Sequence, residues 1–487
     1  MTDRTPRPLR FAVIGAGMAG ILSAIKLTEA GLADFTVYEK ADRVGGTWRE
    51  NTYPGLACDV PSHLYCYSFA VNPEWSHRYS PGPEIQAYFE RIAGEHDILR
   101  RVRFGDEVTA CEFTDGRWRL TTAAGHHDEV DVVVAATGVL HHPRYPDIVG
   151  LDTFEGATFH SSRWDHSVAI DGARVGIIGT GSTAIQLVSA IVGRVARLSL
   201  FQRTAQWVLQ QENPQYPDEE KELFRQDPTR AFAMHEQLSE LFAHFSNAVV
   251  DVDSPQLKII EDACLWNLEQ NVTDPELRER LRPDYRAACK RLIVSPDFYE
   301  AIQRPNAEVV TEAIERVEPG GVRTREGRLH ELDVLVLATG FKADAFMRPM
   351  NVVGRAGRRL ADAWAARPNA YLSISIPDFP NFFMLNGPNG PVGNFSLIEV
   401  AELQFGYILQ LVAHLRSGGG REICATQDAM DEFEAARVDA AQHTVWVTGC
   451  RSWYLDDRGI PASWPWPFDR FREAMAAPKL DAFEVVA

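Results

Sequence analysis

A glycine-rich pattern occurs twice in this chain of 487 residues, each time directly after a short apolar run. The first copy, GAGMAG, runs from Gly15 to Gly20, and the second, GTGSTA, begins at Gly179. A helix-like stretch and then another apolar run follow each copy. This strand–turn–helix–strand order is typical of a dinucleotide-binding unit, because glycines let the backbone approach a pyrophosphate at the helix N-terminus. The sequence therefore predicts two such units in an α/β fold.

The residue that ends the second apolar run differs between the two units. Glu39 lies 24 residues after Gly15, and Arg203 lies 24 residues after Gly179. An acid at this position binds ribose hydroxyls and repels a 2′-phosphate, whereas an arginine pairs with a 2′-phosphate. The first unit is therefore predicted to bind FAD or NAD, and the second NADPH. Two cofactors held face to face favour hydride transfer from nicotinamide to flavin.

Both units also end alike, in a strand-like run that closes with Thr137-Gly138 or Thr339-Gly340. A turn-rich stretch precedes each run, which predicts a three-stranded β-meander in each Rossmann-like unit. Between 213 and 288 the sequence is acidic with helical spacing, which predicts an inserted helical subdomain. The predicted domains are 1–150 with 343–487 for FAD, 151–212 with 289–342 for NADPH, and 213–288 for the helical insertion.

The composition narrows the class of protein. A net charge of −18 argues against a nucleic-acid partner, because binding phosphates needs clustered Lys and Arg. The seven cysteines are odd in number and form no CxxC pair, which argues against a zinc site and a disulfide framework and favours a reducing compartment. No metal site is predicted. Without a signal-peptide core or a long apolar run, we expect a cytoplasmic protein with no membrane span.

Two longer motifs add to the paired glycine turns. One reads FxGxxxHxxxWD between the units, and the other reads GGxWxxxxYPGxxxD in the first unit. Both match the motifs of class B flavoprotein monooxygenases, and the WD ending resembles that of type I Baeyer–Villiger monooxygenases. The residues of the two motifs are Phe154, Gly156, His160, Trp164 and Asp165, and Gly45, Gly46, Trp48, Tyr53, Pro54, Gly55 and Asp59.

The resemblance implies an enzyme that uses FAD and NADPH to convert a small-molecule ketone and O2 into an ester or lactone through a C4a-peroxyflavin. It implies that Arg291 keeps the peroxide anionic and stabilises the oxyanion, since one such donor contributes ~3–4 kcal/mol. Asp59 would orient Arg291 by a charge-assisted hydrogen bond. His160 is expected to act in the linker as a hinge residue and not in proton transfer.

The predicted cofactor-binding residues combine the glycine turns with positions that the resemblance implies. Lys290 is expected to assist Arg203 at the phosphate, and Trp446 best matches a tryptophan that contacts the nicotinamide cofactor. A C-terminal cluster of Trp446, Trp453, Trp464 and Trp466 favours packing or a pocket wall. The predicted set is Gly15, Gly17, Gly20, Glu39, Gly46, Thr47, Trp48, Asp59, Tyr65, Thr137, Gly138, Gly179, Thr180, Gly181, Ser182, Arg203, Thr204, Lys290, Thr339, Gly340, Asn386 and Trp446.

Two other functions are compatible with the same motifs. One is an enzyme of this architecture that oxidises sulfur or nitrogen, and the other is a non-catalytic protein that senses NADPH. A disulfide reductase is disfavoured because Cys58 has no partner cysteine at reductase spacing. The sequence specifies neither the ketone nor the oligomeric state.

Overall fold

The computed structural model describes residues 7–391, 395–450, 452, 455–456 and 458–486, so Trp453 of the tryptophan cluster lies outside the described residues. The strands are β1 (Phe11–Ile14), β2 (Phe35–Tyr38), β3 (Val102–Arg103), β4 (Val108–Thr114), β5 (Arg117–Thr122), β6 (His127–Val130), β7 (Val132–Ala135), β8 (Ala157–His160), β9 (Arg174–Ile178), β10 (Arg197–Phe201), β11 (Val208–Gln210), β12 (Ile293–Ser295), β13 (Ala307–Val310), β14 (Ile314–Glu318), β15 (Gly321–Thr324), β16 (Leu329–Glu331), β17 (Val334–Leu337), β18 (Asn351–Val353), β19 (Phe382–Met384), β20 (Glu422–Ala425) and β21 (Phe483–Val486). The α-helices are α1 (Met18–Glu29), α2 (Thr47–Glu50), α3 (Gly82–Glu95), α4 (Ser182–Ile191), α5 (Asp218–Gln226), α6 (Pro228–Val250), α7 (Pro255–Asn271), α8 (Pro275–Arg280), α9 (Phe298–Ile302), α10 (Leu360–Ala363), α11 (Leu397–Arg416), α12 (Gln427–Ala441) and α13 (Phe468–Ala476).

Two five-stranded parallel sheets form the framework, in the orders β19-β7-β1-β2-β3 and β13-β10-β9-β17-β8. Every residue of β1 and of β17 is buried, as expected for strands covered on both faces. In each sheet the glycine turn follows a central strand at the carboxyl edge, where open α/β sheets bind their ligands. The predicted fold class, with two Rossmann-like units, is confirmed.

Each parallel sheet is accompanied by an antiparallel meander, β4-β5-β6 in the first unit and β14-β15-β16 in the second. The predicted meanders are therefore present. A fourth strand, β18, pairs with β4, and β19 pairs with β7. Both of these strands come after Gly340, so the chain returns to the first unit there.

The acidic central segment forms helices α5 to α8. Within this segment α5 ends at Gln226 and Pro228 begins a new helix, because proline cannot donate to the preceding turn. Asp227 caps the new helix by accepting a hydrogen bond from the backbone of Thr229 at 3.1 Å. The segment contacts both units: Asn213 exchanges hydrogen bonds with the backbone of Tyr79, and the Asn267 amide donates to the Val208 carbonyl.

One covalent cross-link departs from the sequence analysis. The argument against a disulfide framework fails for one pair, because Cys289 and Cys450 form a disulfide across 161 residues. The odd number of cysteines and the absence of CxxC carried no information about partners so far apart in the chain. The disulfide joins the segment before Lys290 to the C-terminal part of the chain.

None of the helices in the described ranges is both long and apolar enough to cross a lipid bilayer.

Candidate active site

A cavity of about 2630 Å³ lies between the two glycine turns. It exceeds the ~300–1,000 Å³ typical of a pocket for one small ligand. The predicted cofactor residues that line it are Gly15, Gly17, Glu39, Gly46, Thr47, Trp48, Asp59, Tyr65, Thr137, Gly138, Gly179, Thr180, Gly181, Ser182, Arg203, Thr204, Lys290, Thr339, Gly340, Asn386 and Trp446. Arg291 lines it too. The predicted residues that do not line it are Gly20, Phe154, Gly156, His160, Trp164 and Asp165.

The first glycine turn leaves no room for a side chain at Gly15. Gly15 has a φ of +103°, and a Cβ there would lie 2.5 Å from the Ala136 carbonyl oxygen. A Cβ on Gly46 would lie 2.9 Å from the Cα of Gly17, so the two loops touch through their backbones. Helix α1 starts after Gly17 without a side-chain cap. Its N-terminus is therefore open to an anion such as a pyrophosphate.

The second glycine turn repeats these features. Gly179 has a φ of +122°, and a Cβ there would collide with the Ala338 carbonyl oxygen. Helix α4 also starts without a side-chain cap, after Gly181. No atom lies within 4 Å of the place that a Cβ on Gly181 would occupy, so this glycine faces open space. The second turn is thus also shaped for a phosphate group.

Glu39 is held in place by three donors at the end of β2. Its carboxylate accepts hydrogen bonds from the backbone N–H groups of Ala16 at 2.8 Å and Ala41 at 3.0 Å. The Arg49 guanidinium lies 3.1 Å from the same carboxylate, and both side chains are only 6% exposed. Since a carboxylate has about four acceptor positions, one stays free toward the cavity for a hydroxyl. Arg49 was not singled out from the sequence.

Arg203 and Lys290 form a cationic corner at the second turn. Arg203 is exposed, and in the described part of the chain neither residue forms an ion pair with a carboxylate. Lys290 Nζ lies 4.4 Å from the centre of the Tyr285 ring. Burial lowers the pKa of Lys290, and repulsion by Arg203 lowers it further. Two neighbouring cations that repel each other favour an anionic ligand between them.

Arg291 and Asp59 meet on the cavity wall in a two-point ion pair. Arg291 Nε lies 2.8 Å from one carboxylate oxygen of Asp59, and Arg291 Nη2 lies 2.6 Å from the other. Burial raises the pKa of Asp59, but attraction and hydrogen bonds from Arg291 outweigh it and hold that pKa below its ordinary value. The Arg291 side chain keeps 35% of its surface exposed. The pair is therefore charged at neutral pH and fixed in orientation.

The YPG motif lies where the two units touch. A Cβ on Gly55, whose φ is +81°, would lie 2.7 Å from the Gln186 carbonyl oxygen in α4. The Tyr53 hydroxyl donates to the Gln186 side chain at 2.7 Å, and that side chain donates to the Ala57 carbonyl at 2.9 Å. Only glycine allows this approach, and the contact places Asp59 at the cavity.

The linker motif FxGxxxHxxxWD lies beside the two chain segments that connect the units. His160 accepts a hydrogen bond from the Ser162 backbone on Nδ1, so Nε2 carries the proton and donates to the Gly340 carbonyl at 3.0 Å. The backbone of Arg144 donates to the same carbonyl at 2.8 Å, and Pro143 forms a bridge with Phe341. The two connections between the units therefore run side by side, with His160 bonded to one of them.

Known proteins are similar in sequence to this chain over nearly its full length. The family described as flavin-binding monooxygenase-like matches residues 9–239. An uncharacterized monooxygenase of Mycobacterium tuberculosis is 47% identical, over 98% of this chain and 95% of the relative. A Baeyer–Villiger monooxygenase of Streptomyces coelicolor is 38% identical, over 98% of this chain and 93% of the relative. The chain belongs to the Baeyer–Villiger monooxygenases.

A solved structure of this family agrees with the architecture. The cyclohexanone monooxygenase of a Rhodococcus species bound to NADP+ has a TM-score of 0.87 and 31% identity, over 99% of this chain and 100% of the other. Baeyer–Villiger monooxygenases of this kind use FAD and NADPH, and the glycine turns, Glu39 and the Arg203–Lys290 corner fit the two dinucleotides. The predictions of family, fold and cofactors are confirmed.

The C-terminal part of this Baeyer–Villiger monooxygenase contributes residues that motifs could not reveal. Arg437 is fully buried in α12 and binds the Glu434 carboxylate at 2.7 and 3.0 Å. It also donates to the Pro461 carbonyl. Three residues further on, the Trp464 backbone donates to the Gly390 carbonyl at 3.1 Å. These contacts hold the chain after Pro461 against the loop that follows Asn386.

Proposed function

We propose that the protein is an FAD- and NADPH-dependent Baeyer–Villiger monooxygenase. A ketone, O2, NADPH and a proton would give an ester or lactone, water and NADP+. The observation that carries the proposal is the Arg291–Asp59 pair on the wall of a cavity that both glycine turns share. Membership of the family supports the same reaction.

The residues divide between the two cofactors by the unit they belong to. Gly15, Gly17 and Glu39 would hold the FAD pyrophosphate and ribose, as part of a FAD domain of 1–150 and 343–487. Gly179 and Gly181 would hold the NADPH pyrophosphate in a domain of 151–212 and 289–342, and 213–288 would be the helical insertion. Arg203 and Lys290 would pair with the 2′-phosphate, because they are neighbouring cations that line the cavity at that turn.

Bound FAD would supply the redox chemistry, that is, the acceptance of hydride from NADPH and the activation of O2. The protein contributes a fixed positive charge beside the reaction. When the carbonyl carbon of the ketone is attacked, negative charge develops on its oxygen, and the Arg291 guanidinium would stabilise that charge. A preorganised donor of this kind lowers the free-energy barrier by ~3–4 kcal/mol. Asp59 would keep the guanidinium aimed at the cavity and would not exchange protons, since its pKa lies below its ordinary value.

The cavity that contains this pair also has apolar side chains on its wall, which favours a ketone with a hydrocarbon part. Leu56, Val60, Phe395, Leu397 and Val447 line the same cavity as Arg291. Apolar side chains on a cavity wall bind the hydrocarbon part of a substrate. The proposed partners are therefore a small ketone and O2.

A competition experiment tests the proposal. The purified yellow protein is incubated with NADPH and equal amounts of a cyclic ketone and a thioether, repeated over a panel of ketones. Mass spectrometry should detect a ketone product heavier by one oxygen atom, with NADPH consumption that the ketone accelerates. Oxidation of the thioether alone would favour a heteroatom oxygenase. NADPH binding without consumption would favour a sensor.

A further inference from the structure

Four charged side chains form a continuous row from the first glycine turn to the linker motif. Arg49 Nη1 lies 3.1 Å from the Glu39 carboxylate, and Arg49 Nη2 lies 2.7 Å from Glu50. The other carboxylate oxygen of Glu50 lies 2.8 Å from Arg163 Nη1. The charges alternate along the row, so each member attracts both of its neighbours.

The row crosses from one unit to the other. Glu39 directly follows β2, and Arg49 and Glu50 belong to α2, which follows Gly46. Arg163 instead follows β8, a strand of the second sheet, and lies three residues after His160. A second contact crosses beside it, because the His166 ring and the Thr52 hydroxyl are 2.8 Å apart. The linker motif is thus joined to the segment that carries the GGxW motif.

The row is rigid at one end and more exposed at the other. Arg49 is buried, and it also donates to the Arg43 carbonyl at 2.5 Å, which fixes its planar group. Burial raises the pKa of Glu50, but the Arg49 hydrogen bond and the attraction of Arg163 outweigh it and lower that pKa below its ordinary value. Glu50 is 20% exposed and Arg163 is 42% exposed. A displacement of Arg163 therefore acts on Glu39 through three ion pairs, those of Arg163 with Glu50, Glu50 with Arg49, and Arg49 with Glu39.

We propose that Arg163 is a positioning residue that couples the NADPH-binding unit to the carboxylate that binds the FAD ribose. This inference rests on the proposed function, which assigns FAD to Glu39 and NADPH to the second unit. Binding of NADP+ fixes the second unit and with it Arg163, and the row then holds Glu39 toward FAD. Because linkage is reciprocal, NADP+ should tighten the retention of FAD.

The test measures flavin release and not turnover. The full-length holoenzyme is heated, and the temperature at which flavin fluorescence appears is recorded with and without saturating NADP+. Wild type should show a rise with NADP+. The substitutions Arg163→Met and Glu50→Gln should each remove at least half of that rise, Arg163→Lys should keep most of it, and the double variant should lose no more than either single variant.

Arg174→Met is the matched control. Arg174 is similarly exposed and pairs with Asp333 at 2.7 Å, but both residues lie in the second unit. This variant should keep the full rise with NADP+. An equal loss in Arg163→Met and Arg174→Met, an unchanged rise in Arg163→Met, or additive losses in the double variant would each overturn the coupling. A protein purified without FAD would contradict the proposed function itself, whereas bound FAD with no effect of NADP+ in wild type would overturn the coupling alone.

Discussion

The two nucleotide units contain the same kind of glycine turn, but the charged residue beside it is an acid in the first unit and a base in the second. In the first unit, Glu39 is buried and held by two backbone donors and Arg49. In the second unit, Arg203 is exposed and shares its corner with Lys290. Donors of the protein fix the carboxylate in the first unit, whereas two neighbouring cations in the second unit favour an anionic ligand between them.

The units also differ beneath the turn. Gly20 ends the first glycine pattern, and a Cβ there would collide with the Gly15 carbonyl oxygen. The second pattern has Ala184 at the same position, and its methyl group is fully buried without difficulty. Helix and turn are therefore closer together in the first unit. The same glycine motif is therefore packed more tightly against its helix in the first unit than in the second.

The largest expected effect concerns the reaction site between the two units and not cofactor binding by either unit. Arg291→Ala should lower ester formation ~10²–10³-fold, because the cavity loses the cation that stabilises the oxyanion. NADPH should still reduce the flavin in stopped-flow measurements, since both turns remain. Arg286→Ala is the control, because this nearby arginine pairs with Glu261 and does not line the cavity. Unchanged ester yield in Arg291→Ala would remove Arg291 from the mechanism.

The next effect tests whether the units depend on their covalent connection. Replacing Cys289 and Cys450 with serine should lower the free energy of unfolding by ~2–4 kcal/mol in urea, because the disulfide restricts the unfolded chain. In wild type denatured without reductant, an alkylating reagent should label the five free cysteines and leave two of the seven unlabelled. Labelling of all seven would contradict the cross-link.

A smaller effect tests the charge contrast directly. Arg203→Ala should raise the dissociation constant for NADPH ~10–100-fold and leave that for NADH nearly unchanged, because a charge-assisted hydrogen bond contributes ~1.5–3 kcal/mol. Arg197→Ala, in the same strand region but paired with Glu308, should change neither constant. Equal weakening of both cofactors in Arg203→Ala would show that Arg203 does not read the phosphate.

The smallest pair of effects tests whether the first glycine turn is packed more tightly against its helix than the second. Gly20→Ala should cost ~1–3 kcal/mol of stability and lower the FAD content of the purified protein, because the backbone has to shift. Ala184→Gly should cost only ~1 kcal/mol, mostly through helix propensity. Thermal unfolding and flavin absorbance measure both. Similar losses in the two variants would show that the two turns are equally packed.

The sequence predicted what depends on local spacing. The glycine turns, the strands around them and the meanders follow from periodicity and from the backbone freedom of Gly15 and Gly179. The pairing of Arg291 with Asp59 came from the family motifs, and the structure places the two side chains in contact. Such features repeat in many chains, so a short pattern identifies them.

Contacts between distant segments were not predictable. Nothing in the motif GGTWRE indicates that Arg49 reaches back to Glu39, because that depends on how the two loops cross at Gly17 and Gly46. The disulfide of Cys289 likewise depends on where the C-terminal chain passes. These contacts are set by tertiary packing, and a single sequence contains no periodic signal for them.

The two backbone connections between the units affect how the units can move. They run side by side and share hydrogen bonds at Gly340 and between Lys342 and His142. A ribbon of two paired strands bends more easily across its flat face than within its plane. The Cys289–Cys450 disulfide adds a third covalent tether between the units. Any opening that admits NADPH or releases product therefore has to bend the ribbon without breaking that tether.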